Sequence, residues 1–307
     1  TILPKRVDKA DGKDIVRSSA CNYYDGVSQH EVEEFYAKLK KDGPTNEAPS
    51  YGLNSTLVKE GDFIREDVWK IDGKYGAAIE KIVYWLERAK EFVENDQQLH
   101  VINLLIRYYK TGDLHDFDIY SIEWLHEQEG RIDFINGFIE VYGDPLGLKG
   151  SWEGLVEYKD QEATTRARRI SENAQWFEDH SPVDRRFRKE KVKGVIANVV
   201  CAAMLGGDEY PASAIGINLP NAEWIRATHG SKSVSIFNLT EAYHKASKNS
   251  GMLEEFVVDD PTLDMIKRYG DVCDDLHTDL HECLGHGSGR LLPGTDPNAL
   301  KHYGNTI

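Results

Sequence analysis

The stretch His281-Glu282-Cys283-Leu284-Gly285-His286-Gly287-Ser288-Gly289-Arg290 says more about this chain than any other part of it. Two imidazoles flank a carboxylate at nearly the spacing of a zinc-peptidase helix, with one residue too many. In the common H-E-x-x-H arrangement the histidines lie at i and i+4, on one helical face, with the glutamate beside the metal as general base. Here the second imidazole is at i+5, which on a regular helix lies ~140° around from the first. A locally widened π turn recovers a shared face, and Gly285 is the residue expected to tolerate that distortion. A plainer reading stands beside it: a polar helix end closed by Gly285, Gly287 and Gly289. His277 and His281, at i and i+4, form a second candidate pair.

The wider sequence supports the first reading through a resemblance. His281-Glu-Cys-Leu-Gly-His286 and the glycine-rich run after it resemble the H-E-x-x-G-H signature of the dipeptidyl peptidase III family of zinc peptidases. Gly137-Phe-Ile-Glu-Val-Tyr-Gly-Asp-Pro145 looks like that family's segment bearing a substrate-binding glutamate and tyrosine. Gly216-Ile-Asn-Leu-Pro-Asn221, followed by Ile225-Arg226, is similar to the stretch whose asparagines hold the peptide's N-terminal end. The three motifs occur in the family's order.

The resemblance implies roles. His281 and His286 would bind zinc, and Glu282 would be the general base. Tyr142 would lie near the scissile carbonyl, where a hydroxyl stabilises developing negative charge. Glu140 would pair with the substrate's ammonium, while Gly216, Asn218 and Asn221 would contact its first residue. The implied activity is a zinc-dependent exopeptidase that releases dipeptides from the N-termini of oligopeptides. Without the resemblance, Glu140 reads as a surface acid and the Asn-x-Pro-Asn loop as a turn. Cys283 reads as a packing residue. The competing function is a non-catalytic peptide-binding or structural module with a vestigial metal motif.

Composition sets bounds. The 307 residues carry 37 basic and 52 acidic side chains, a formal net charge of −15. No basic field exists to release phosphate counterions, so nucleic acid is not an expected partner. No apolar run approaches the ~20 residues of a membrane span. Cys21, Cys201, Cys273 and Cys283 are scattered without C-x-x-C pairing, which fits a reducing, cytoplasmic setting. Oligomeric state is left open. The sequence starts at Thr1 with no signal-peptide pattern, and the family's E-E-x-R-A-D motif, source of an acidic third zinc ligand, does not occur. The expectation is a central fragment of a longer peptidase, inactive by itself.

Periodicity predicts amphipathic helices over 29–41, capped by Ser28, and over 75–93, 97–109 and 118–129. The charged segment 161–189 reads as a solvated helix face, because acidic residues interleave its arginines. Val192 to Leu205 and Val234 to Leu239 suit strands. The last helix is expected over 263–285, started by Pro261-Thr262. The fold class is therefore mainly α with a smaller β portion (α+β), in two lobes, and the resemblance implies that these lobes flank a cleft with the metal-motif helix in the helical lobe. Residues 1–160 form a mainly helical part of a mixed substrate-binding lobe, and 161–191 a helical segment of the catalytic lobe. Residues 192–245 are a β-containing return, and 246–307 bring back the catalytic lobe.

Overall fold

The computed structural model describes residues 3–192, 195–211, 213–248, 250–285, 288–290 and 292–294. Its architecture is α+β, with helices predominating over two sheets. The first part holds α1 (Ile15–Ser18), β1 (Tyr24–Asp25), α2 (Gln29–Asp42), β2 (Ser55–Glu60) and β3 (Phe63–Val68). Ser28 caps α2 reciprocally with Glu31: the Glu31 carboxylate accepts from the Ser28 N–H at 2.8 Å, and Ser28 Oγ accepts from the Glu31 N–H at 3.4 Å. The three strands make a small sheet in the order β1-β2-β3.

Three helices follow: α3 (Gly76–Ala89), α4 (Asp96–Thr111) and α5 (Leu114–His126). Asn95 and Asp113 cap α4 and α5 by accepting from Gln98 N and His115 N. Gly112, at φ 69°, closes α4. The apolar positions of α4, from Val101 to Tyr109, supply the centre of the main core. That core lies against a second sheet of β4 (Ile132–Phe138), β5 (Trp152–Lys159), β6 (Val195–Gly207), β7 (Gly216–Leu219) and β8 (Ser231–Ile236). Its strand order is β4-β5-β6-β8-β7, antiparallel throughout except for the parallel β6–β8 pair.

Around this sheet run α6 (Gln161–Glu172), α7 (Ala174–His180), α8 (Glu223–His229), α9 (Phe237–Lys248), α10 (Met252–Phe256) and α11 (Asp260–Leu280). Asp259 caps α11 by accepting from Thr262 N at 2.8 Å, with Pro261 in the first turn where no donor is missed. The helix then passes without a break into a π turn, His281–Gly285. A second apolar cluster joins Ala163, Ala167 and Ile170 of α6 to Ala197 and Val199 of β6 and to Cys283.

The helices lie close to their expected positions, but the strands of the first 160 residues do not follow from the periodicity. Strand β5 explains why. Its inward positions are Glu153, Leu155, Glu157 and Lys159, so the period of two is present but carries charge instead of apolar side chains. These charges are met inside. Lys232, fully buried on β8, donates to Asp133 Oδ2 at 2.9 Å and to the Glu127 carbonyl at 3.0 Å, and lies 3.9 Å from the Trp124 ring centroid. Trp124 Nε1 donates to the other Asp133 oxygen at 2.9 Å, and Lys159 Nζ to the Gln128 carbonyl at 2.8 Å. Burial, with Asp133 adding to it, pushes the Glu157 carboxyl up to about 8, so it is held neutral at pH 7.

Removing one member of a buried pair leaves an uncompensated charge. Lys232→Met is therefore expected to cost about 3–5 kcal/mol of unfolding free energy. Urea denaturation checks this, and a stability loss under about 1 kcal/mol would show that Asp133 does not depend on the ammonium.

Candidate active site

The extra residue between His281 and Glu282's far neighbour His286 demanded a widened turn, and the π turn spans His281–Gly285. It does not rest on glycine's freedom at 285. Gly285 has no positive φ, and a Cβ there would meet nothing nearer than the His281 ring at 3.8 Å. His281 is exposed, while Glu282 and Cys283 are buried. Burial pushes the Cys283 thiol up to about 12, the state of an inert packing residue. His286 lies outside the described residues.

Glu282 sits against β7. A Cβ on Gly216 would stand 2.9 Å from Glu282 Cδ and Cγ and overlap Oε1, so only glycine permits this approach. Glu282 Oε2 is buried and has no hydrogen-bond partner among the described residues. Burial pushes this carboxyl up to about 7, against the opposing pull of the Arg226 guanidinium. Arg226 donates to Asn218 Oδ1. Asn218 Nδ2 lies 3.1 Å from Ser231 Oγ and 2.6 Å from Ser233 Oγ. The side-chain hydrogen bonds that the sequence reading reserves for a peptide are thus made within the protein at Asn218.

Six of the eight designated side chains or positions line one cavity of about 1310 Å³: Glu140, Tyr142, Gly216, Asn218, Asn221 and Glu282. Tyr142 is 59% exposed, and Asn221 Nδ2 donates to Glu140 Oε1 at 3.0 Å. Glu153 and Glu209 line the same cavity and escaped the sequence reading. Glu153 Oε1 accepts from the Glu140 backbone N–H at 3.1 Å. Burial, then the Glu140 and Glu209 charges, push Glu153 up to about 8, and burial raises Glu140 as well. The only signal for Glu153 was its place two residues from Leu155 on an inward-facing strand side.

Imidazole and carboxylate donors suit zinc, and the π turn is the local form that histidines five residues apart require. Among the described residues, no cluster of three or more His, Cys, Asp or Glu is placed to hold a metal ion. Nor does any described helix have the length and apolar character to cross a membrane.

A model of peptidase family M49 matches residues 28–305. The chain belongs to peptidase family M49. Dipeptidyl peptidase 3 of Mus musculus is 29% identical over 282 residues, covering 92% of this chain and 37% of its own length. The Homo sapiens protein of that name is 29% identical over 236 residues, 76% of this chain and 31% of its own. This M49 chain therefore spans about a third of the length of these relatives. The solved structure of DPP III from Caldithrix abyssi superposes with a TM-score of 0.70 at 20% identity, covering 92% of this chain and 53% of that one. DPP III from Corallococcus sp. strain EGB gives 0.60 at 20% identity, over 72% and 40%. These two likenesses are ones of fold.

The carboxylate wall of this M49 chain has a pH signature. Glu153 is raised from 4.5 to about 8, so the folded state holds its proton more tightly than the unfolded state. Its contribution is fully present below pH 4.5 and is lost as pH rises through 8. Glu153→Gln is expected to flatten this fall, making the variant more stable relative to wild type at pH 9 than at pH 5. Urea midpoints at both pH values measure it, and an equal offset at the two would contradict the raised proton affinity.

Proposed function

We propose that this chain forms the peptide-binding and base-bearing part of a zinc-dependent dipeptidyl peptidase, which releases dipeptides from the N-termini of oligopeptides. The observation that carries the reading is the placement of Glu282. A buried carboxyl with an unpartnered oxygen and a proton affinity near neutrality opens onto the same cavity as a wall of three further carboxyls. A general base of that strength both takes and returns a proton near pH 7.

The lobe assignment follows from the same view: 1–160 with 192–245 bind peptide, while 161–191 and 246–307 carry the metal-motif helix. Strand β7 ends its sheet, so its outer edge offers unpaired backbone groups to an extended peptide among the described residues. Main-chain pairing there gives affinity with little regard to side chains. Glu140, oriented by Asn221, and Glu153 beside it would receive the peptide's ammonium, whose charge opposes the upward push of burial on both carboxyls. Because a buried carboxylate left unpaired is costly, blocked N-termini are rejected. Tyr142, half in solvent, would approach the carbonyl under attack. Asn218 would act through its strand backbone, its amide being engaged elsewhere.

His281 and His286 would hold zinc, which when bound supplies Lewis acidity to the carbonyl and the attacking water. The third, acidic ligand is not assigned in these 307 residues, and hydrolysis by this chain alone is expected to be weak or absent. The four cysteines are free, in keeping with the cytoplasm as its compartment.

Equilibrium dialysis tests the metal assignment. Stoichiometric zinc lost in both His281→Ala and His286→Ala is expected, and binding unchanged in either refutes it. Peptide binding with no zinc binding would make the chain a non-catalytic peptide-binding module instead. In any form that cleaves an arginyl-arginyl-arylamide, Glu282→Ala should keep zinc and lose about 10²–10⁴ in turnover. Retained turnover would remove Glu282 from the role of base.

A further inference from the structure

Strand β8 carries serine at three alternate positions, Ser231, Ser233 and Ser235, in the middle of a buried sheet. Alternation puts these hydroxyls on one face, with Lys232, Val234 and Ile236 on the other, against the main core. The serine face meets Asn218 and the end of α11. In the β7–β8 register Ser233 is directly opposite Asn218.

The orientation of the Asn218 amide is fixed. Guanidinium is donor-only, so the Asn218 oxygen must face Arg226 and its nitrogen must face β8. Nδ2 lies nearest Ser233 Oγ at 2.6 Å and Ser231 Oγ at 3.1 Å, with a longer contact of 3.4 Å to the Glu282 carbonyl, so the Ser233 hydroxyl reinforces a direct but weaker approach of Asn218 to the turn. Ser233, accepting from Asn218, gives its own proton to the Glu282 carbonyl at 2.8 Å. One step along, Ser235 Oγ donates to Asp279 Oδ1 at 2.9 Å in the last turn of α11. Ser233 itself is 2% exposed, so its hydroxyl has no ready replacement from solvent.

We infer that Ser233 is a positioning residue that ties strand β7 to the turn bearing Glu282. This deepens, and for its catalytic meaning rests on, the peptidase reading proposed above. The strand edge that receives a peptide and the carboxyl that serves as base are thereby held at one separation. Ser231 grips only the amide and leaves the turn alone, which makes it the natural control.

Amide hydrogen exchange of the zinc-free 307-residue chain reads the tie directly. Ser233→Ala should speed exchange of the amides of 281–285 about tenfold relative to those of β8, while Ser231→Ala leaves them unchanged. Ser233→Thr keeps the hydroxyl and should restore the wild-type rates. Ser233→Cys, close in volume but a weak donor, replaces the alanine variant should that one not fold. A tri-arginine peptide adds a readout that mere packing would not move. In the wild type it should slow exchange at β7 and at the turn together, and in Ser233→Ala at β7 alone.

Turn exchange identical in wild type and Ser233→Ala overturns the proposal. So does a turn that peptide still protects in Ser233→Ala. Faster exchange in that variant, in a chain that binds neither zinc nor tri-arginine, upholds the tie and counts against the peptidase reading alone.

Discussion

Glu282 can lie against strand β7 only because residue 216 has no side chain. Any Cβ at that position would occupy the space of the carboxylate. This single close approach has several consequences. It buries most of Glu282, and burial is the largest cause of its raised proton affinity. It brings the Glu282 carbonyl within reach of Ser233, and it fixes where α11 ends relative to the sheet. Arg226 stands near enough to moderate the carboxyl's affinity, while its Nη2 donates to Asn218. Among the described residues one Glu282 oxygen finds no hydrogen-bond partner, which is the condition for it to act on something else.

The same sheet handles buried carboxyls in two ways, and β5 shows both. Glu153 and Glu157 lie on one side of the strand, about 13 Å apart at 3.3 Å per residue. Glu157 is sealed beside Lys232 and Lys159, and neither of its oxygens finds a hydrogen bond among the described residues. Glu153 faces the cavity beside Glu140 and Glu209. Both are pushed to about 8, but only Glu153 can be relieved by an incoming cation. One strand thus runs from a closed ionic core to an open binding wall.

This division explains what the sequence could and could not show. Helices α2, α3, α4 and α5 declare themselves because their inward positions are apolar and their caps are Ser28, Asn95 and Asp113. Strand β6 was legible for the same reason, being β-branched and apolar. Strands β4 and β5 were not, since Asp133, Glu153, Glu157 and Lys159 occupy inward positions, and a pattern of that kind reads as solvent-facing. The site divides likewise. Spacing offered a loosened turn at 281–285 beside a plain helix end, and motif resemblance singled out residues from 140 to 221 that line the cavity. Glu209 has no spacing signature, and Ser233 is an ordinary strand serine until its partners are known. The Asn218 amide already has partners within the protein, Ser231, Ser233 and Arg226, which no sequence spacing announces.

The end of α11 is pinned on two sides at once. Successive residues of a helix diverge by ~100°, so Glu282 and Cys283 cannot face one wall. Glu282 meets β7 and β8, while Cys283 packs among Ala163, Ala167 and Ile170 of α6 and Ala197 and Val199 of β6. Two walls fix the rotation of the turn about its axis, and His281 is left on the side that neither wall covers, in agreement with its exposure. A cysteine at 283 suits this arrangement because the α6 wall is built from small residues that leave room for a sulfur but little more. Had the turn continued as a regular helix, the residues after Gly285 would lie about 100° further around, and no imidazole at position 286 could return to the side of His281. The extra residue in the motif and the paired walls are thus one solution. The walls leave His281 on the exposed side of the widened turn.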